Sequence, residues 1–341
     1  MEWQPGWQDA FEEVLRLCRV ERGEPVAVLA ETLSRPVNLA LAEAALHRLG
    51  ARPVRITVPS PRPSAPVQVR STGASRALAG HPGALAAIAA CPLLLDLTVE
   101  GLLHAPELPA ILKAGTRMLM VSDEHPETLE RLVPRAGDDA PVKAAVKRLR
   151  AAKRMHVASE AGTDLTVLME GAATAGVWGW TDRPGTVAHW PGGVVVSFPR
   201  AGTVNGRLVL DAGDVNLTFK RYLERPVALT IEDDHVTRID GTGADAEMTR
   251  RYLAAWGDRG AYAVSHVGWG LNPRARYEAL SMLDKAETNG TELRAVAGNF
   301  LFSTGANEFA GRHTEGHFDI PVFNTTITLD GEAVVERGRV L

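Results

Sequence analysis

The run Gly316-His317-Phe318-Asp319-Ile320-Pro321 places an imidazole and a carboxylate two residues apart. In an extended segment such residues project to one side, so His317 and Asp319 can reach a common point while Phe318 faces a core. An imidazole and a carboxylate that converge form most of a metal site, and one further ligand completes a facial triad. The competing reading is a buried His–Asp hydrogen bond on a strand. A second run, Ala263-Val264-Ser265-His266-Val267-Gly268-Trp269-Gly270-Leu271-Asn272-Pro273, sets His266 ahead of a Gly-x-Gly turn and an Asn-Pro pair that starts a helix. Glycine permits close approach to a ligand, and proline suits a first helical turn. Taken alone, this run reads equally well as a strand-end histidine capping a turn.

The other histidines separate by context. His47, His81, His125 and His235 fall in helix or loop positions, and His156 sits on a strand. His104, His189 and His313 lie, like His266 and His317, in runs rich in glycine, proline or aromatic residues. Loops held by a rigid scaffold are where side chains are most often presented for chemistry.

The scaffold expected in the first half is an open, doubly wound α/β layer. Short apolar runs at Pro25–Ala30, Val54–Val58, Leu93–Thr98 and Arg117–Val121 alternate with helical patterns at Val37–Leu49, Ala77–Ala90, Glu107–Ala114 and Glu127–Leu132. That alternation predicts a mostly parallel sheet covered on both faces. Ala30-Glu31-Thr32-Leu33-Ser34 contains no glycine after the first strand, which argues against a dinucleotide site. A basic helix, Val142–Arg154, reads as a solvated face. Beyond it the texture turns β-rich, with strands expected at Met155–Val157, Asp164–Met169, Gly193–Phe198, Arg207–Leu210 and Val227–Ile231. Helices are expected at Asp245–Trp256 and Arg274–Leu283. The boundary falls near residue 150, giving an α/β domain over 1–150 and a β-rich metal-binding domain over 151–341.

Bulk properties narrow the class. The 341 residues are 45% hydrophobic and 23% charged, with 32 Gly and 21 Pro, ordinary for a mixed α and β globular protein. A net charge of −4 without clustered Lys/Arg gives no footprint for nucleic acid. The longest apolar run, Ala84–Val99, is broken by Pro92 and Asp96, so no membrane span is expected. No charged-then-apolar leader opens the sequence, and Cys18 and Cys91 read as buried thiols, so the expected location is cytoplasmic.

Three runs taken in order, Gly162-Thr163-Asp164-Leu165, the Gly268-x-Gly270-Leu271-Asn272-Pro273 segment and Gly316-His317-Phe318-Asp319, resemble the thermophilic aminopeptidase family of metalloproteins. The resemblance implies that His266, His317 and Asp319 converge as metal ligands. It also shows departures. His266 replaces a glutamate, Gly193 stands where a second carboxylate is expected, and Leu301 stands where a further histidine is expected. Two of these positions cannot ligate, so a two-metal clamp on an attacking water is disfavoured. Two histidines and one carboxylate are the ligand set of non-haem Fe(II) oxygenases, although Zn(II) also accepts it.

With this substitution the scaffold resembles the ring-opening dihydroxypyridine dioxygenases. That resemblance implies Fe(II), dioxygen and a small aromatic substrate, 2,5-dihydroxypyridine, opened to an N-formylmaleamate-type product. It also implies a homo-oligomer. An aminopeptidase-like metal hydrolase is the alternative. His104 follows a strand end, where ligands of open α/β sheets gather, and is the expected general base for a ring hydroxyl. His189 and Ser303 are the expected substrate contacts, and His313 the expected partner of a ligand. A locally satisfied loop residue is the alternative for each.

Overall fold

The computed structural model describes residues 3–62 and 73–341. A parallel sheet organises the first half: Arg52–Val58, Pro25–Glu31, Leu93–Asp96, Arg117–Val121 and Val187–Trp190 lie side by side. Alternate residues feed two separate cores. Val26, Val28, Leu93 and Leu95 pack under the helices Pro5–Leu17 and Pro36–Arg48, whereas Ala27, Leu29 and Leu94 pack with Ile88 and Ile111 on the other face. Both faces of the three central strands, Pro25–Glu31, Leu93–Asp96 and Arg117–Val121, are therefore covered, which is why these three read as continuous apolar runs rather than alternating ones. The fifth strand, Val187–Trp190, comes from beyond residue 150, so the sheet draws on chain from both sides of the expected boundary.

The second half stacks two antiparallel sheets. One has eight strands. The other runs in the order Arg312–Val322, Phe300–Asn307, Val264–Gly270, Val194–Phe198, Ala173–Val177. Their facing sides bury Trp269, Phe300, Phe302, Phe318 and Ile320 against Met155, Val157, Leu165 and Val167. Because strand side chains alternate, Phe318 and Ile320 in this core put His317 and Asp319 on the opposite face. Burying a side chain the size of Phe318 contributes about 1.5–3 kcal/mol, so this packing fixes the face of its two polar neighbours firmly.

Three local expectations are corrected. The basic helix spans Asp139–Ala151 rather than ending at Arg154. The Asp330 carboxylate takes the backbone N–H groups of Lys153 and Arg154 and starts the strand Arg154–Ala158. No helix forms over 274–283 beyond a 3-10 turn at Tyr277–Ser281. The N–H groups of Arg274 and Arg276 are taken instead by the side chains of Asn272 and Glu292, a local competitor of the helical ladder. Finally, Gly268-Trp269-Gly270 is part of the strand Val264–Gly270, not a turn. A Cβ on Gly268 would stand 1.9 Å from the Val195 carbonyl oxygen, so glycine here permits close strand pairing. Among the described residues, no helix is long and apolar enough to cross a membrane.

Candidate metal centre

Three imidazoles meet where the two halves of the chain face each other. His104, His266 and His317 each offer a ligand atom, and these atoms all lie within 4.8 Å of one another. His266 sits on the strand Val264–Gly270 and His317 two strands away on Arg312–Val322, with Phe300–Asn307 between them. Gly305 is the register partner of His317 and Ser303 that of Asp319.

His104 arrives from the parallel sheet. Asp96, which ends the strand Leu93–Asp96, accepts hydrogen bonds from the Thr98 N–H at 3.0 Å, the Thr98 hydroxyl at 2.7 Å and the Leu102 N–H at 2.8 Å. These bonds curl the following loop back, and the His104 N–H donates to the Gly73 carbonyl at 2.5 Å. The loop thus leaves the carboxyl end of a parallel strand, where open α/β sheets place their ligands.

Asp319 completes the cluster. Its Oδ1 lies 3.1 Å from His317 Nε2 and 3.5 Å from His266 Nε2. Neither approach is aligned as a full hydrogen bond, although the 3.1 Å contact with His317 still favours the ionised carboxylate. Asp319 Oδ1 and the Nδ1 atoms of His266 and His317 are buried without an aligned partner. Two ligands about 2.1 Å from one ion at right angles stand about 3 Å apart, so the spacing fits a shared cation. The other oxygen, Oδ2, accepts from Arg294 Nε at 2.5 Å. Burial by itself would raise the Asp319 carboxyl. The guanidinium of Arg294, joined at low pH by His317 and His266 where they are protonated, outweighs it and holds the group well below the usual carboxylate range. Burial pushes His266 down to about 3 and lowers His317 too, so both rings are neutral near pH 7, the form a metal requires.

The remaining expected residues divide. His189 closes the carboxyl end of the strand Val187–Trp190, within electrostatic reach of Arg294 and Asp319. Its Nδ1 donates to the Pro191 carbonyl at 2.6 Å, and burial pushes it down to about 4, which leaves Nε2 as an acceptor. Ser303 is fully buried, and its hydroxyl makes a long 3.4 Å bond to the His266 carbonyl. His313 is exposed at the mouth of a cleft of about 560 Å³, lined also by His104, Arg76, Trp256 and Glu315. A larger open cleft, about 750 Å³ beside Lys153 and Asp330, contains none of these groups.

Sequence reasoning missed several participants. Arg294 lies on the short helix Thr291–Ala295, whose first turn is gripped by the other half of the chain. Glu124 accepts the N–H groups of Asn289, Gly290 and Thr291, each at 2.8 Å, and Arg131 pairs with Glu292 through both oxygens. Glu308 Oε1 stands 3.3 Å from His104 Nδ1. Phe198 packs edge-on to His266, with ring centroids 5.5 Å apart, and walls the site. Only tertiary structure joins these residues to the centre; none carries a local motif.

The departures from a two-metal site are physical. A Cβ on Gly193 would stand 2.6 Å from Asn272 Cβ, with φ at +103°, so no carboxylate fits there. Leu301 is buried against Val194 and Ala295.

Comparison with known proteins gives the family and the fold. The family profile described as NicX, 2,5-dihydroxypyridine 5,6-dioxygenase, matches residues 6–341. A 2,5-dihydroxypyridine 5,6-dioxygenase of Pseudomonas putida KT2440 is 38% identical over 335 residues, covering 97% of this chain and 95% of that protein. The solved 2,5-dihydroxypyridine dioxygenase from Pseudomonas putida KT2440 superposes with a TM-score of 0.92, covering 98% and 96% of the two chains. AmpT from Thermus thermophilus, at 17% identity and a TM-score of 0.61 over 98% and 99% of the chains, shares the fold. The aminopeptidase-like scaffold expected from the motifs is thus present, and the chain belongs to the family of 2,5-dihydroxypyridine 5,6-dioxygenases.

Proposed function

We propose that this protein opens the ring of 2,5-dihydroxypyridine with dioxygen at one Fe(II) held by His266, His317 and Asp319. The observation that carries the ligand assignment is Asp319 Oδ1, which lies beside both imidazole nitrogens yet aligns with neither as a full hydrogen bond. His104 belongs to the same cluster, but its Nδ1 is engaged by Glu308 and it enters from the opposite half of the chain. It suits a base facing the substrate better than a third histidine ligand. Fe(II) held by these two histidines and the carboxylate would supply the means to activate a substrate donor and dioxygen together.

The chain's own residues do the rest. Arg294 balances the Asp319 charge and fixes the carboxylate by its second oxygen. His104 accepts the proton of a ring hydroxyl, a step in which a positioned base contributes about 10²–10⁴-fold. His189 offers Nε2 to a donor on the ring, and Phe198 supplies an apolar wall that keeps water from His266. Both oxygen atoms enter the N-formylmaleamate-type product, so no external reductant is consumed. A homo-oligomeric assembly and the division near residue 150 belong to the same proposal.

The hydrolytic alternative loses its second metal, because neither Gly193 nor Leu301 offers a ligand. The Fe(II) protein given 2,5-dihydroxypyridine in air is expected to consume oxygen and substrate in equal amounts while the aromatic ultraviolet band vanishes. Peptide hydrolysis by the Zn(II) or Co(II) form, without oxygen uptake on any hydroxylated ring, would restore the peptidase reading.

A further inference from the structure

The centre contains one carboxylate that touches none of the three proposed ligands. Glu308 opens the 3-10 turn Glu308–Ala310, just after the strand Phe300–Asn307 that separates His266 from His317. Asn307 holds that turn by accepting the Ala310 N–H at 3.1 Å. From there Glu308 Oε1 reaches His104 Nδ1 at 3.3 Å, a contact between residues 204 positions apart. His104 is otherwise fixed by its own N–H on the Gly73 carbonyl and by the ring of His317, with centroids 4.6 Å apart. Neither contact decides which ring nitrogen carries the proton.

An ionised carboxylate only accepts hydrogen bonds, so the nitrogen facing it must be the one bearing the proton. We propose that Glu308 is a positioning residue that sets His104 in its Nδ1–H tautomer and so leaves the Nε2 lone pair for the substrate. The inference rests on His104 being the base of the proposed reaction. In the opposite tautomer Nε2 would carry a proton and could not receive another from a ring hydroxyl. A carboxylate that orients an imidazole in this way is worth about 10–100-fold at a metal ligand and up to about 10⁴-fold at a general base. Because Glu308 directly follows a strand of the sheet that carries His266 and His317, it also ties the base of one half of the chain to the ligands of the other.

Two readouts on the parent and two Glu308 variants test this. In metal-free protein labelled with ¹⁵N-histidine, the His104 signals, assigned with His104→Gln, should report the Nδ1–H tautomer in the parent and in Glu308→Gln, whose amide oxygen still accepts. Glu308→Ala should lose that preference. In the Fe(II) proteins, Glu308→Ala should lower kcat about 10-fold or more with KM within about twofold, and Glu308→Gln should recover most of the loss. An Nε2–H tautomer in the parent overturns the proposal. So does Glu308→Ala with an unchanged kcat, or Glu308→Gln as impaired as Glu308→Ala. If the parent opens no ring at all, the proposed function fails, while the tautomer experiment still decides whether Glu308 orders His104.

Discussion

Removing Arg294 should destabilise the metal-free protein far more than the metal-loaded one. Arg294 and Asp319 form a pair whose side chains are 11% and 7% exposed, with the nitrogen 2.5 Å from the oxygen. Replacing Arg294 with Gln leaves a buried carboxylate whose remaining near neighbours are two neutral imidazoles. Breaking a buried pair from one side costs about 3–5 kcal/mol. At about 2 °C per kcal/mol for a chain of this size, the metal-free variant should melt about 6–10 °C below the parent. A divalent cation at the centre replaces the lost positive charge, so saturation with Fe(II) under argon should close more than half of that gap. The pH dependence has a fixed sign. Asp319 is depressed in the folded protein, so its contribution is present above the unfolded value of about 3.9 and is lost as pH falls through the folded one. The difference between parent and variant should therefore be full at pH 7 and shrink below about pH 4. Thermal unfolding followed by circular dichroism, with and without metal, measures all of this. A metal-free variant melting within about 2 °C of the parent would refute the reasoning, as would a gap that metal leaves untouched.

The other expectations concern ligands, protons and the base. His266→Ala and His317→Ala should lose iron and turnover together while the circular dichroism spectrum stays native, because both side chains face away from the aromatic core; full iron content in either variant would remove that residue from the ligand set. Since burial holds His266 down at about 3 and lowers His317, protons should compete with the metal only well below the ordinary histidine range of about 6.5. Capture of the released ion by a chelator should thus show a midpoint below about pH 5, and a midpoint between 6 and 7 would contradict the burial argument. His104→Ala should keep its iron and bind substrate anaerobically, yet turn over about 10²-fold more slowly; an unchanged kcat would return His104 to a structural role.

The shared face of His317 and Asp319 was legible in the sequence because strand geometry is local. His317 and Asp319 share a face at a spacing of two, and Phe318 between them is buried where that alternation demands. The parallel sheet was legible for a similar reason, since strands covered on both faces must be apolar throughout. What the sequence hid is what tertiary contact decides. Arg294 lies 25 residues from Asp319 in the chain and Glu308 lies 204 from His104, and nothing near either residue marks it as part of a centre. The strand Val187–Trp190 was missed because its four residues include a histidine and a tryptophan rather than an apolar run. The segment after Asn272 was misread as a helix because its competing partners, such as Glu292 for the Arg276 N–H, are distant in sequence.

The most direct test of the centre is the metal content of the anaerobically reconstituted protein and two of its variants. The parent and His104→Ala should each retain about one Fe(II) per chain after desalting, and Asp319→Ala should retain close to none. Two tightly held ions in the parent, or iron kept by Asp319→Ala and lost by His104→Ala, would contradict a single ion held by His266, His317 and Asp319.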